Sequence, residues 1–204
     1  MPRISAERSQ AQRLRLVEAS VRVFAEQGYD ATTVDAVCHA CGLSKGAVYT
    51  YFSSKEELFL AASEHVFEQR YRVLIETLRR QEPRAAGVDG VLASFADSLA
   101  RTDRSFLRLW VEGFLVAARM PALAELKTTY HRRFGDLIID LLEAAQRTGE
   151  LDQGLDAALA ADALMSLADG LMLHGLVPGL GADADRASHA MSEVLAPLWR
   201  GTRP

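Results

Sequence analysis

Two cysteines in 204 residues are too few for a disulfide scaffold, which places the chain in a reducing compartment, the cytosol. No run approaches the roughly 18 consecutive apolar residues that a membrane-spanning helix requires. The nearest, residues 170–182 (GLMLHGLVPGLGA), is short and interrupted by His174 and Pro178. Residues 1–15 hold no apolar stretch of the kind a signal peptide uses, so neither export nor a membrane partner is expected. A nucleophile elbow, a phosphate-binding loop and an HExxH pair are all missing, and the five histidines (39, 65, 131, 174 and 189) are scattered. Catalysis is therefore not expected. Cys38-x-x-Cys41 lacks the second pair that a four-ligand zinc site needs, so neither a metal nor a cofactor is expected. The two thiols read as small packing residues on one helix.

Strand patterning is missing too. Apolar residues make up 49% of the chain and recur at helical spacing almost throughout, which predicts an all-α fold. Leu14, Val17, Val21 and Phe24 mark a first helix, and Gly28 is its stop signal. Thr33 is placed to cap a short second helix from Val34 to about Cys41, with Asp35 in its first turn. Gly42 and Leu43 make a turn in which glycine supplies a left-handed backbone. Ser44 then caps a third helix from Lys45 to about Phe52. Ser53 and Ser54 each stand three residues before a glutamate (Glu56, Glu57), so either register opens a fourth helix that runs to about Arg80. Further helices are expected over about 91–101, 104–118, 122–148, 156–176 and 183–200.

Charge is uneven along this frame. Residues 1–55 hold seven Lys or Arg against five Asp or Glu, whereas residues 56–204 hold sixteen against twenty-two. Arg3, Arg8, Arg13 and Arg15 face only Glu7 in the first fifteen positions. The basic end coincides with two short helices joined by a glycine turn, with Val37, Leu43 and Val48 spaced to pack them on the first helix. That is the arrangement of a helix-turn-helix, whose second helix enters the major groove. By geometry alone, a generic helical hairpin would look the same.

The residues themselves separate the two. Residues 32–62, TTVDAVCHACGLSKGAVYTYFSSKEELFLAA, preceded by FAEQGYDA (24–31), closely resemble the DNA-binding domain of the tetracycline-repressor (TetR) family. The specific run is Gly42 to Tyr49, then Tyr51-Phe52, Ser54-Lys55-Glu56 and Leu58. The resemblance implies a DNA-binding domain over 1–53 and an all-helical ligand-binding and dimerisation domain over 54–204, with the helix over about 54–80 as connector. It also implies DNA contacts from Thr33, Ser44, Lys45, Gly46, Ala47, Tyr49, Thr50, Tyr51 and Lys55. Chemistry supports this set: Lys45 can donate to guanine O6 or N7, and Gly46 and Ala47 let the helix sit deep. Tyr49 can touch a thymine methyl or a phosphate. Thr33, Tyr51 and Lys55 match positions that hold phosphates. Val48 and Phe52 belong to the core.

A single recognition helix contacts too few bases to find one genomic site, so a homodimer on palindromic double-stranded DNA is expected. The helices over about 156–176 and 183–200 would pair the subunits, as the last two helices do in the family. A small-molecule effector, largely apolar or aromatic, would enter among the preceding helices. Its candidate contacts are Phe106, Trp110, Phe114, Met120, Tyr130, His131, Phe134, Met165, Asp169 and Met172, with Glu112 as a further polar contact. The expected function is a repressor released from its operator by that ligand. The competing reading is a ligand-independent architectural or division factor of the same fold.

Overall fold

The computed structural model describes residues 6–80, 104–177, 179–180, 189 and 193, and the regular elements among them are all helices. In chain order these are α1 (Ala6–Ala31), α2 (Val34–Cys41), α3 (Lys45–Tyr49), α4 (Lys55–Arg80), α5 (Arg104–Ala117), α6 (Pro121–Thr148) and α7 (Ala157–Gly175). The helix expected over about 91–101 lies outside the described residues. So does the one over 183–200, apart from His189 and Glu193, which are helical.

Two compact units divide the chain. The first takes residues 1–69 and 105–127, and the second takes 70–104 and 128–204. The first unit thus runs beyond the boundary at 53/54 that the motif suggests. Its core explains why. Leu16, Val17, Val23 and Phe24 of α1, Val37 of α2 and Val48 of α3 pack with Leu58, Phe59, Ala62 and Val66 of α4. Leu109 and Val116 of α5 and Leu123 of α6 join the same cluster. Five-residue α3 and eight-residue α2 cannot close a core on α1 unaided, because isolated helices this short are marginal in water. At its centre the Phe59 ring lies edge-on to Phe24 at 4.8 Å and tilted against Tyr29 at 4.9 Å. Each such pair adds about 0.5–1.5 kcal/mol beyond the buried area.

The local signals set the element ends. Gly28 breaks α1 with φ 76° and ψ 169°, and Gly42 ends α2 in the left-handed region with φ 69° and ψ 27°. Both conformations are costly for a residue carrying a Cβ. Ser54 rather than Ser53 opens α4: its Oγ accepts from Glu57 N at 3.2 Å, while Glu57 Oε2 accepts from Ser53 N at 2.7 Å. Two expectations change. Leu14 is 46% exposed, because the buried arc of α1 runs from Leu16 through Ala19 and Ser20 to Val23 and Phe24 and leaves Leu14 off it. Helix α3 ends at Tyr49 instead of about Phe52, although Tyr51 N and Phe52 N still donate to Val48 O.

The second unit is built more simply. Leu142, Ala145, Leu151, Ala157, Ala160, Ala161 and Leu164 form its core. The turn between α6 and α7 is held by Gln146, whose Nε2 donates to the carbonyls of Asp152 (2.8 Å) and Leu155 (2.9 Å). Asp156 caps α7 by accepting from Ala158 N and Leu159 N. By length and composition α7 is apolar enough to cross a membrane, which the sequence reading did not anticipate. One face of it is core, namely Ala157, Ala160, Ala161, Leu164, Met165, Ala168 and Met172. The other carries Leu159, 67% exposed, and Leu173, 49% exposed, together with Asp162.

Candidate nucleic-acid interface

Helix α3 is presented by its two ends. Ser44 caps it by accepting from Ala47 N at 3.2 Å, and Thr33 caps α2 in the same way from Ala36 N at 3.1 Å. Val48 and Phe52 point inward and are buried, which turns Lys45, Gly46, Tyr49 and Thr50 out to solvent. Ala47 is half-buried. A Cβ at Gly46 would meet nothing within 4 Å, so the first turn of α3 offers an unobstructed surface. Tyr49 is 47% exposed. The Thr50 hydroxyl donates back to Gly46 O at 3.0 Å, which ties it to its own helix.

Lys45 is engaged before any ligand arrives. Its ammonium lies 2.9 Å from Asp35 Oδ1 and 3.0 Å from Oδ2, and this pairing holds its pKa above the usual lysine value. Asp35, read in the sequence only as a charge suited to a helix N-terminus, is thus also the partner of the foremost base-reading candidate. Ten residues separate the two across a turn, and no local pattern announces such a pair.

The candidate phosphate contacts are anchored from behind. The Tyr51 hydroxyl donates to Gln12 Oε1 at 3.3 Å and accepts from Ser9 Oγ at 3.4 Å, so it leans on α1. Arg13 lies over the Phe52 ring at 5.0 Å. Lys55 Nζ donates to the carbonyls of Tyr29 (2.9 Å) and Asp30 (3.3 Å) and sits over the Tyr29 ring at 4.5 Å. Two of its three N–H donors are therefore spent on the turn after Gly28. Burial, with help from a hydrogen bond to Glu56 at 3.1 Å, pushes the Tyr29 phenol up to about 12.

That turn is also held from α5. Glu112 Oε1 accepts from Tyr29 N at 2.8 Å, and Arg119, just past α5, makes a bidentate contact with Asp30 at 2.6 and 2.7 Å. A Cβ at Gly28 would stand 3.4 Å from Glu112 Oε1. The sequence offers no signal for these pairings, which span 83 and 89 residues. Glu112, noted there as a candidate ligand contact, instead faces the reading head.

Cys38 is buried and Cys41 half-buried, both as free thiols. Burial raises the Cys38 pKa, with Cys41 and Asp35 adding to it, the opposite of what a reactive thiolate needs. Among the described residues no His/Cys/Asp/Glu group is arranged to hold a metal ion.

Two family models match the chain. Residues 16–62 fit the model described as bacterial regulatory proteins, tetR family, and residues 83–200 fit that of the BetI-type transcriptional repressor, C-terminal. The chain belongs to the TetR family of transcriptional regulators. Among its relatives is the regulator UidR of Escherichia coli K12, 26% identical over 166 residues, covering 80% of this chain and 81% of UidR. Similar solved structures include a transcriptional regulator from Saccharomonospora viridis in complex with choline, at TM-score 0.80 and 20% identity, covering 92% of this chain and 96% of that one. FadR of Bacillus subtilis in complex with stearoyl-CoA follows at 0.73 and 20%, covering 90% and 97%. TetR-family regulators bind DNA and often respond to ligands, and the relatives are regulators and repressors rather than enzymes.

The candidate effector contacts of this TetR-family regulator fall in both units. In the first, Phe106 and Met120 pack against the head's own core, Trp110 is half-buried, and Phe114 is 49% exposed. In the second, Tyr130, Met165 and Met172 are buried. Phe134 meets Tyr71 edge-on at 5.3 Å, Asp169 is half-buried and His131 is exposed.

Proposed function

We propose that this TetR-family regulator is a cytoplasmic homodimeric repressor that reads a palindromic operator and is released by a small, largely apolar or aromatic ligand. The observation that carries the DNA half is the outward set Lys45, Gly46 and Tyr49 on a helix whose Val48 side is buried. Lys45 must leave Asp35 to reach a base, so the operator competes with an internal carboxylate. Ser44, Ala47 and Thr50 frame that surface, and Thr33, Tyr51 and Lys55 take phosphates, with Lys55 giving its remaining donor.

The dimer reading is supported by α7. Leu159, Leu173 and, beyond the helix end, Val177 are exposed apolar residues on a helix whose opposite stripe is core. A self-complementary surface is what a two-fold dimer needs. The ligand reading is supported by the choline and stearoyl-CoA complexes of proteins with this fold. Release is a population shift: the ligand favours a state whose recognition helices miss the spacing of about 34–36 Å between successive major grooves. Moving operator occupancy from 99% to 1% takes about 5.5 kcal/mol of preference, which two sites per dimer would share.

Titration of a randomised palindrome library, followed by footprinting, tests the reading. Two protomers should protect symmetric half-sites, and Lys45→Ala should relax discrimination at one position per half-site by about tenfold or more. Binding of one protomer to non-palindromic DNA would sink the dimeric operator model. A DNA affinity that no compound shifts would favour the architectural factor.

A further inference from the structure

Asp35 brings a carboxylate to the exposed side of the reading head, beside the residue that leads α3. Helix α2 does not need it as a cap, because Thr33 accepts from Ala36 N in that role. Among the described residues Lys45 is the only hydrogen-bond or ion-pair partner of Asp35, at 2.9 Å from Oδ1 and 3.0 Å from Oδ2. Both side chains are more than half exposed, Lys45 at 54% and Asp35 at 67%. Gly46 next to them leaves open space, where an added Cβ would meet nothing within 4 Å. The carboxylate therefore travels with Lys45 to the groove that α3 enters. Once Lys45 has left it for a base, it faces DNA as an unpaired charge. A charge held at a desolvated interface without a donor is costly, more so than a neutral group in the same place.

Bases supply that donor unevenly. In the major groove only cytosine N4 and adenine N6 present amino groups, and adenine sets the acceptor N7 beside its own. A carboxylate, which only accepts, is therefore matched by cytosine. We infer that Asp35 is a specificity-determining residue of the DNA site, accepting from the amino group of a cytosine one base pair away from the guanine that Lys45 reads. The two charged groups start 2.9 Å apart and must part to take separate bases, and neighbouring base pairs rise by about 3.4 Å. Binding is then an exchange: one ion pair of the free protein is replaced by two base contacts. Only a site carrying both bases completes it. Elsewhere the pair stays closed, and a closed pair adds no net charge to attract phosphates. The inference rests on the proposed DNA reading and adds to it a base reader outside α3.

The test is selection from a randomised palindrome library by the full chain and by its Lys45→Ala, Asp35→Ala and Asp35→Asn variants. Affinities for the selected site and its single-base changes follow. In the parent, replacing the cytosine should weaken binding by about tenfold or more. Lys45→Ala should relax the guanine and keep the cytosine. Asp35→Ala should keep the guanine and bring the bases at the cytosine position to within about twofold of one another. Asp35→Asn should move the preference there to adenine, whose N6 and N7 match a carboxamide. Asp35 is exposed, so both substitutions leave the fold intact. Loss of the guanine in Asp35→Ala, with no separate cytosine affected, would mean that Asp35 only positions Lys45, and would overturn the inference. So would an equal gain in affinity for every sequence, the mark of a charge that merely repels DNA. A selected operator that both Asp35 variants read as the parent does keeps the operator reading and removes Asp35 from it. A parent that enriches no sequence ends both.

Discussion

Each of the two units of this regulator is built on its own internal chemistry. In the first, long-range polar contacts converge on one turn: Glu112 on Tyr29 N, Arg119 on Asp30, and Lys55 on the Tyr29 and Asp30 carbonyls. They lie over an aromatic core of Phe24, Tyr29 and Phe59. In the second, the core is leucine and alanine, and the polar contacts that cross its turn come from Gln146 and its neighbours. A reading head must place a few side chains to within a fraction of an ångström, and directional bonds to backbone atoms do that. Leucine–alanine packing fills volume and tolerates sequence change.

The largest break in this contrast is Phe59→Ala. The side chain is fully buried against two rings, so its loss should cost about 3–5 kcal/mol of stability and abolish DNA binding, as read by denaturant melts and gel shift. A loss under 1 kcal/mol would mean that the aromatic cluster is not the keystone of the head. Glu112→Ala comes next. It strands the Tyr29 N–H and should cost about 1–3 kcal/mol, whereas Glu112→Gln keeps an acceptor and should recover most of it. Equal damage from both would show that charge, not hydrogen bonding, holds the turn.

Arg119→Ala should have a smaller effect, since both partners are more than half exposed. The difference from the parent should vanish at about 1 M salt, where the Debye length is about 3 Å. Persistence at high salt would mean that stacking over Tyr29, where the guanidinium lies 5.6 Å from the ring, matters more than the ion pair. Leu159→Glu in the second unit should change the melt of a dilute sample by no more than about 0.5 kcal/mol. It should nevertheless lower dimer affinity in sedimentation. An unchanged dimer would move the interface off this face of α7.

Much of the head is legible in the sequence because its signals are local. Gly42, Thr33, Ser44 and the Ser54–Glu57 cap each act within four residues, and the structure places them as the spacing implies. On α1 the periodicity picks out Val17, Val21 and Phe24, which the core covers or borders, and Leu14, which it leaves exposed, since spacing alone cannot say which face the rest of the chain will cover. Asp35 beneath Lys45, and Glu112 at Tyr29, were beyond any local pattern.

The sequence by itself determined the all-helical fold, the capped starts of α2, α3 and α4 and the short helix pair with its family motif, because hydrogen-bond caps, glycine conformations and 3.6-residue periodicity are properties of neighbouring residues. The tertiary structure alone decided that residues 105–127 pack with the reading head in one unit, that Lys45 starts out paired, and that Lys127 sits among Phe67, Trp110 and Phe114. Each joins groups from separate segments, brought together only by burial of the apolar faces that carry them.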